Sequence, residues 1–396
     1  MKRVLKMIIS LVSIFLLLGV VLYVIAPHPP KTPAHVSNSA ELDDYLGRLV
    51  ASGNPPGLSV VVVKDSQIAY NRAFGYADAP RGEIATTDTV YHWWSMTKIP
   101  TAVSIMQLQE QGKLDLDDPV TKYLPWFEVI YPSNESPVIT IRHLLQHSSG
   151  LSDTMPAMIG WVHYDHVPRD QTKFVKKHLS EFNNLIFVPG EKAVYSNFNY
   201  MVLGAVIEAV SGETYETYIA NHILNPLGMD QTSFVYTDSM SAHEAAGSLP
   251  VVHFYTPLLP FLLDTNTLFH ERRGNLLWLN RVYIDATPPT GLIGSAPDVA
   301  RFMMMVLNHG TLDGELILSP ESMSQLVETA SLDGHGLGWS VGETNGSRFL
   351  EHWGGGPGFA TIMRVYPDDG LAVTILANGT DLDRAGLADL LAGMDW

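Results

Sequence analysis

Tyr91-His92-Trp93-Trp94-Ser95-Met96-Thr97-Lys98 sets a serine and a lysine three residues apart at the head of a helix. That helix is predicted over 96–112, because Val103, Met106 and Leu108 repeat at apolar helical spacing and Gly112 supplies a stop. A serine at a helix N-terminus meets unpaired N–H groups and the positive end of the macrodipole, which suits a developing oxyanion. A lysine one turn later lies on the same face. Desolvated near that positive end, its amine loses its proton more readily and can serve as a base. Pro100 fits because the first helical turn has no internal N–H bond to lose. Alone, S-x-x-K is equally an N-cap serine with a surface lysine, so its meaning depends on its companions.

Two companions follow in order. Tyr195-Ser196-Asn197 comes after Pro189-Gly190-Glu191. A tyrosine facing the serine can relay its proton to a leaving group if nearby cations lower the phenol pKa, and Asn197 offers an amide to substrate or lysine. The plainer reading is a turn tyrosine with a capping asparagine. Further on stands His352-Trp353-Gly354-Gly355-Gly356-Pro357-Gly358-Phe359. Its glycines allow a substrate close to the backbone, and an edge strand there can supply an oxyanion donor. A glycine-rich turn into a hairpin is the competing reading. A phosphate loop is excluded, since the run does not lead from strand to helix and lacks the lysine.

The triplet S-x-x-K, Y-x-N and H-x-G resembles the penicillin-binding, β-lactamase-related serine hydrolases. These include class C β-lactamases, D-Ala-D-Ala carboxypeptidases, D-aminopeptidases and family VIII carboxylesterases. The segment from Gln109 to Val120, His143-Leu144-Leu145-Gln146-His147-Ser148-Ser149-Gly150-Leu151, Gly291–Asp298 and Gly336-Leu337-Gly338-Trp339 also fall in the family's order, so the likeness spans about 54–378. The resemblance implies Ser95 as acylated nucleophile, Lys98 as its base, Tyr195 as proton relay and Asn197 as a polar clamp. It implies the Ser95 and Gly355 N–H groups as oxyanion hole, with His352 and Gly354 at the substrate. His352-Trp353-Gly354 replaces the K-T-G of class C enzymes, which removes the cation and hydroxyl that grip a β-lactam carboxylate. A bulky Trp353 there is expected to favour an apolar acyl or alcohol group.

The rest of the chain is ordinary globular protein: 396 residues, 46% hydrophobic and 16% charged, without repeats. A formal net charge of −17 disfavours nucleic acid as a partner. With no cysteine, disulfides, thiolate catalysis and Cys-ligated zinc are excluded. Lys2, Arg3 and Lys6 precede an uncharged stretch over 7–26, about 20 residues and so long enough to cross a bilayer. Residues 1–26 are therefore expected to be a single-pass anchor, with a cleaved signal peptide as the competitor. By the positive-inside rule the catalytic part lies outside the cytoplasm. A Pro-rich linker over 27–39 follows, and 40–396 is the hydrolase domain.

Within that domain, a helix over 40–52 and a hairpin of 58–64 with 67–74, turning at Asp65–Ser66, come first. A hairpin of 359–366 with 371–377, a short strand near 349–352 and a helix over 382–394 come last. The expected class is thus α/β of the α+β type. Its mainly antiparallel sheet is built from both chain ends and flanked by helices, with a mostly helical subdomain over about 115–310 inserted between. His143 with His147 and His163 with His166 have spacings that suggest metal ligands, but without H-E-x-x-H or a thiolate they are better explained by packing. No metal and no cofactor is expected. The function read from sequence is an esterase-like serine hydrolase acting on a small ester, amide or peptide. A D-Ala-D-Ala carboxypeptidase, D-aminopeptidase or weak β-lactamase is the alternative, and a non-catalytic scaffold is the alternative of another class.

Overall fold

The computed structural model describes residues 29–396 apart from 154–160, 166, 168, 253–255, 257, 258, 260–263 and 331. Its main sheet has seven strands: β1 (Gly57–Lys64), β2 (Gln67–Asp78), β3 (Glu83–Ile84), β4 (Ser340–Thr344), β5 (Ser347–Gly356), β6 (Phe359–Tyr366) and β7 (Leu371–Ala377). They lie in the order β4-β5-β6-β7-β1-β2-β3, every neighbouring pair antiparallel. The chain ends meet where Leu58 of β1 pairs with Ala377 of β7.

The run Leu58-Ser59-Val60-Val61-Val62-Val63 explains why β1 sits inside the sheet. Alternation sends Leu58, Val60 and Val62 to one face, against Leu42, Leu46 and Leu49 of α1 (Ser39–Ala51). Val61 and Val63 face the opposite core. Burying each such side chain contributes roughly 1.5–3 kcal/mol, so a central position is strongly preferred to an edge. At the turn into β2, Asp65 and Ser66 both have positive φ (49° and 63°), the backbone that a two-residue hairpin needs.

Helices cover both faces. Of those labelled here, α2 (Lys98–Glu110) precedes the inserted region, α3 (Gln171–Phe182), α4 (Asn197–Ser211) and α5 (Ala296–Leu307) come from it, and α6 (Arg384–Ala392) closes the described chain. α5 packs on β1 and β7 on one face, while α1 and α6 share the other. α2 is buried from Lys98 to Leu108, enclosed by the sheet core and the inserted helices. Ser248–Pro250, Leu276–Leu279 and Phe269–Arg273 form a small sheet over a cluster that includes Leu249, Leu268 and Leu279.

The mixed α/β architecture accommodates these elements, but the expected membrane-spanning helix must be corrected. Among the described residues no helix is long and apolar enough to cross a membrane. The stretch over 7–26 on which that expectation rested lies outside the described residues. Single-pass anchoring, and the extracytoplasmic placement inferred from it, are therefore not supported.

Candidate active site

Ser95 lies in a 3₁₀ turn, Trp94–Thr97, and α2 begins only at Lys98. The residue before it, Trp94, has φ of 51°, a left-handed conformation costing on the order of 1–3 kcal/mol for a bulky side chain. Its surroundings hold it there. The Trp94 indole lies against Gly356, where any Cβ would come within 2.3 Å of the ring. The Trp94 carbonyl accepts from Thr97 Oγ1 at 2.7 Å, and the Trp93 carbonyl accepts from Thr361 Oγ1 at 3.1 Å. The serine is thus pinned on a strained corner between β5 and α2.

Lys98 is fully buried. Its Nζ stands 3.2 Å from Ser95 Oγ, 2.7 Å from Asn197 Oδ1 and 3.1 Å from the Pro289 carbonyl. The last two are obligate acceptors, so each takes an N–H. A neutral amine then has one position left, its lone pair, and that position faces the serine hydroxyl. Burial pushes the Lys98 amine well below the ordinary lysine value, opposed by the charge of Asp153. Asp153 also accepts from the Asn197 N–H at 2.9 Å, fixing the start of α4.

The phenol of Tyr195 shares a hydrogen bond with Ser95, and its ring lies 4.8 Å from Lys98 Nζ. The expected lowering of the phenol pKa does not occur. Desolvation of the hydroxyl pushes it above the ordinary tyrosine value and outweighs the hydrogen bond shared with Ser95. Three imidazoles surround this ring: His147 at 4.5 Å between centroids, His352 at 6.2 Å and His335 at 6.4 Å. Burial lowers the pKa of each, and takes that of His352 down to about 3. His352 Nδ1 lies 2.9 Å from the Trp353 carbonyl. Since a carbonyl only accepts, Nδ1 carries the proton and Nε2 presents a lone pair.

On β5 the alternation separates residues that the sequence reads together. His352, Gly354 and Gly356 face the serine turn, and a Cβ on Gly354 would fall 2.0 Å from both Thr361 Oγ1 and the Trp93 carbonyl. Trp353 lies on the opposite face of the sheet, its ring 4.8 Å from the Arg384 guanidinium. It therefore does not line the serine side, contrary to the apolar pocket expected from it. β4 pairs with β5 only as far as Glu351, leaving 352–356 as an open edge.

The structure thus gathers Ser95, Lys98, Tyr195, Asn197, His352 and Gly354 around one point, with Gly355 on the adjoining edge. Sequence reasoning missed Asp153, His335 and the Pro289 carbonyl, and a backbone carbonyl leaves no signal in a motif. His147 stands i, i+4 from His143, but the pair divides: His143 closes a capping box with Thr140, and His147 packs on Tyr195. Among the described residues no group of three or more His, Cys, Asp or Glu could hold a metal ion. His166 lies outside the described residues.

Known proteins resemble this chain in sequence and fold. Protein flp of Staphylococcus aureus (strain N315) is 26% identical over 339 residues, covering 85% of this chain, and the chain spans 62% of that relative's length. Penicillin-binding protein 4* of Bacillus subtilis (strain 168) is 30% identical over 329 residues, covering 81% of this chain and 67% of the relative. The octameric penicillin-binding protein homologue from Pyrococcus abyssi superposes with a TM-score of 0.70 at 25% identity, over 90% of this chain and 78% of that one. Other solved structures of this fold include a hydrolase with promiscuous acyltransferase activity and a D-amino acid amidase, at identities that show the fold alone. The model of the Beta-lactamase family matches residues 42–393. With the strained serine turn, the buried lysine and a match over nearly all of the described chain, the protein belongs to the β-lactamase family of serine hydrolases.

Proposed function

We propose that the protein hydrolyses an uncharged ester through an acyl-enzyme on Ser95, its hydrolase domain being 40–396. The observation that carries this reading is the set of three neighbours around Lys98 Nζ, which suits an amine with two N–H groups and a lone pair on Ser95 Oγ. Lys98 takes the hydroxyl proton as Oγ bonds to the acyl carbon, and the carbonyl electrons move onto oxygen. The N–H groups of Ser95 and Gly355 receive that oxyanion. Tyr195, protonated because its pKa is raised, passes a proton to the departing alkoxide as the C–O bond breaks and is reprotonated from Lys98. Water repeats the sequence on the acyl-enzyme, releasing the acid and restoring Ser95. Asn197 and the Pro289 carbonyl hold the amine in place throughout.

His352 argues for the uncharged substrate. With its proton held by the Trp353 carbonyl and its pKa about 3, it offers no cation to a carboxylate. Its Nε2 lone pair suits a neutral or hydrogen-bond-donating group instead. A panel of p-nitrophenyl esters, nitrocefin and D-alanyl peptides tests the ranking. Short-chain ester turnover should exceed the other two. Faster nitrocefin or D-alanyl peptide cleavage would replace the esterase reading with a β-lactamase or peptidase one. Fluorophosphonate labelling that persists in Ser95→Ala would remove Ser95 as nucleophile. No labelling and no turnover by the wild type would leave a binding module with this fold.

A further inference from the structure

Arg384 stands on the face of the sheet away from Ser95, at the first turn of α6. Its Nη1 lies 2.5 Å from the Gly354 carbonyl and 3.5 Å from the Thr361 carbonyl, and its guanidinium stacks 4.8 Å from the Trp353 ring. Gly354 and Thr361 are partners across β5 and β6. One nitrogen reaches both carbonyls only if both point into the gap between the strands, as they do in a hydrogen-bonded antiparallel pair. A trans peptide sets its C=O and N–H on opposite sides. The N–H of the Gly354–Gly355 peptide, which belongs to Gly355, therefore points out to the open edge beside Ser95.

We propose that Arg384 is a positioning residue that orients and polarises the oxyanion-hole N–H of Gly355 from the far side of the sheet. The cation withdraws electron density from the Gly354 carbonyl, and the shared peptide transmits this to the N–H, making it a stronger donor. The same bond fixes the tilt of a strand end that has no partner strand on its outer side among the described residues, since pairing with β4 ends at Glu351. Glycine at 355 leaves the guanidinium its room, with Nη1 3.4 Å from where a Cβ would stand. The Trp353 ring, absent from the substrate side, serves here as the plate on which Arg384 rests. Burial lowers the Arg384 pKa, and a guanidinium keeps its charge in proteins.

This inference rests on the Ser95 acyl-enzyme reading, and its test separates the two. Arg384→Gln and Arg384→Lys are compared with wild type for kcat and KM on a p-nitrophenyl ester. They are also compared for Ki of an alkyl boronic acid, whose tetrahedral Ser95 adduct puts a hydroxyl in the same hole. Arg384→Gln should lower kcat about tenfold with KM changed less than about twofold, and raise the boronate Ki by a matching factor. Arg384→Lys, which keeps the charge on a shorter single donor, should fall between. Loss of fold alone would reduce active enzyme and kcat but leave the Ki of the remaining sites unchanged. If the Gln variant does not fold, the Arg-to-Lys comparison carries the same paired readout. A wild-type kcat in the folded variants, or a fall in kcat without a rise in Ki, would overturn the inference. Absence of turnover and labelling in the wild type would instead overturn the acyl-enzyme reading.

Discussion

At the residue scale the site depends on one buried amine whose protonation state is set by its neighbours. Burial disfavours the charged form of Lys98, and Asp153 alone among its identified influences opposes this. The base form is the active one, so activity should rise as pH climbs through the depressed lysine pKa. Asn197→Asp tests that sign directly. It places a carboxylate where Oδ1 now stands, 2.7 Å from Nζ, and so favours the ammonium. The acid limb of kcat/KM should move to higher pH, with about a tenfold or greater loss at pH 7 that recovers in more alkaline buffer. A uniform loss at every pH would show that Asn197 acts on substrate rather than on the lysine. None of this is visible in S-x-x-K, which gives the pair but not the partners that decide its charge.

At the scale of elements, β5 is where sequence and structure part most. The hairpin of β6 and β7 was legible because Pro367–Gly370 breaks two mostly apolar runs, and the structure places both strands at the predicted boundaries. In β5 only a short strand near 349–352 was expected, with the glycines of 354–356 beside it or in a turn, yet the strand continues through them to Gly356. Glycine weakens an isolated strand, but here neighbouring atoms occupy the space a side chain would need. The three positions should therefore respond differently to the same substitution. Gly354→Ala would drive a Cβ to 2.0 Å from the Trp93 carbonyl, and a backbone atom cannot swing aside. It should cost about 1–3 kcal/mol, and with this the serine turn should shift and fluorophosphonate labelling slow. Gly355→Ala meets only the end of Arg384, at 3.4 Å, and should leave the melting temperature almost unchanged. Thermal melts of the two variants check this, and equal losses would mean that strand propensity, not crowding, governs the edge.

Across the whole molecule, a sheet joined from both chain ends forces the strained turn, the lysine helix and the glycine edge into one place. In the sequence, the resemblance carried by S-x-x-K, Y-x-N and H-x-G in order pointed to Ser95, Tyr195 and His352 as one constellation. Which face Trp353 occupies, and which carbonyl holds Lys98, required the packing. The same packing buries imidazoles at a cost that should appear as acid sensitivity. His92, enclosed by Trp94, Tyr236 and Phe359, is pushed down to about 4, and His352 to about 3, each chiefly by burial. In the unfolded chain both titrate near 6.5. For a base with a depressed folded pKa, the unfolded state binds the proton first. Stability is therefore intact above about pH 6.5 and is lost as pH falls towards the folded value. Each such imidazole adds a slope of about 1.4 kcal/mol per pH unit within that window. Asp298 works the other way: burial raises its carboxyl to about 6, so it loses stability as pH rises through that value and partly offsets one histidine. Urea midpoints should thus be nearly flat from pH 8 to 7 and fall between pH 6 and 4. In His92→Gln the unfolding free energy should fall less steeply over that range, by about 1.4 kcal/mol per pH unit. An unchanged slope would mean that the loss comes from self-repulsion or other groups, and that His92 is hydrated when the protein is folded.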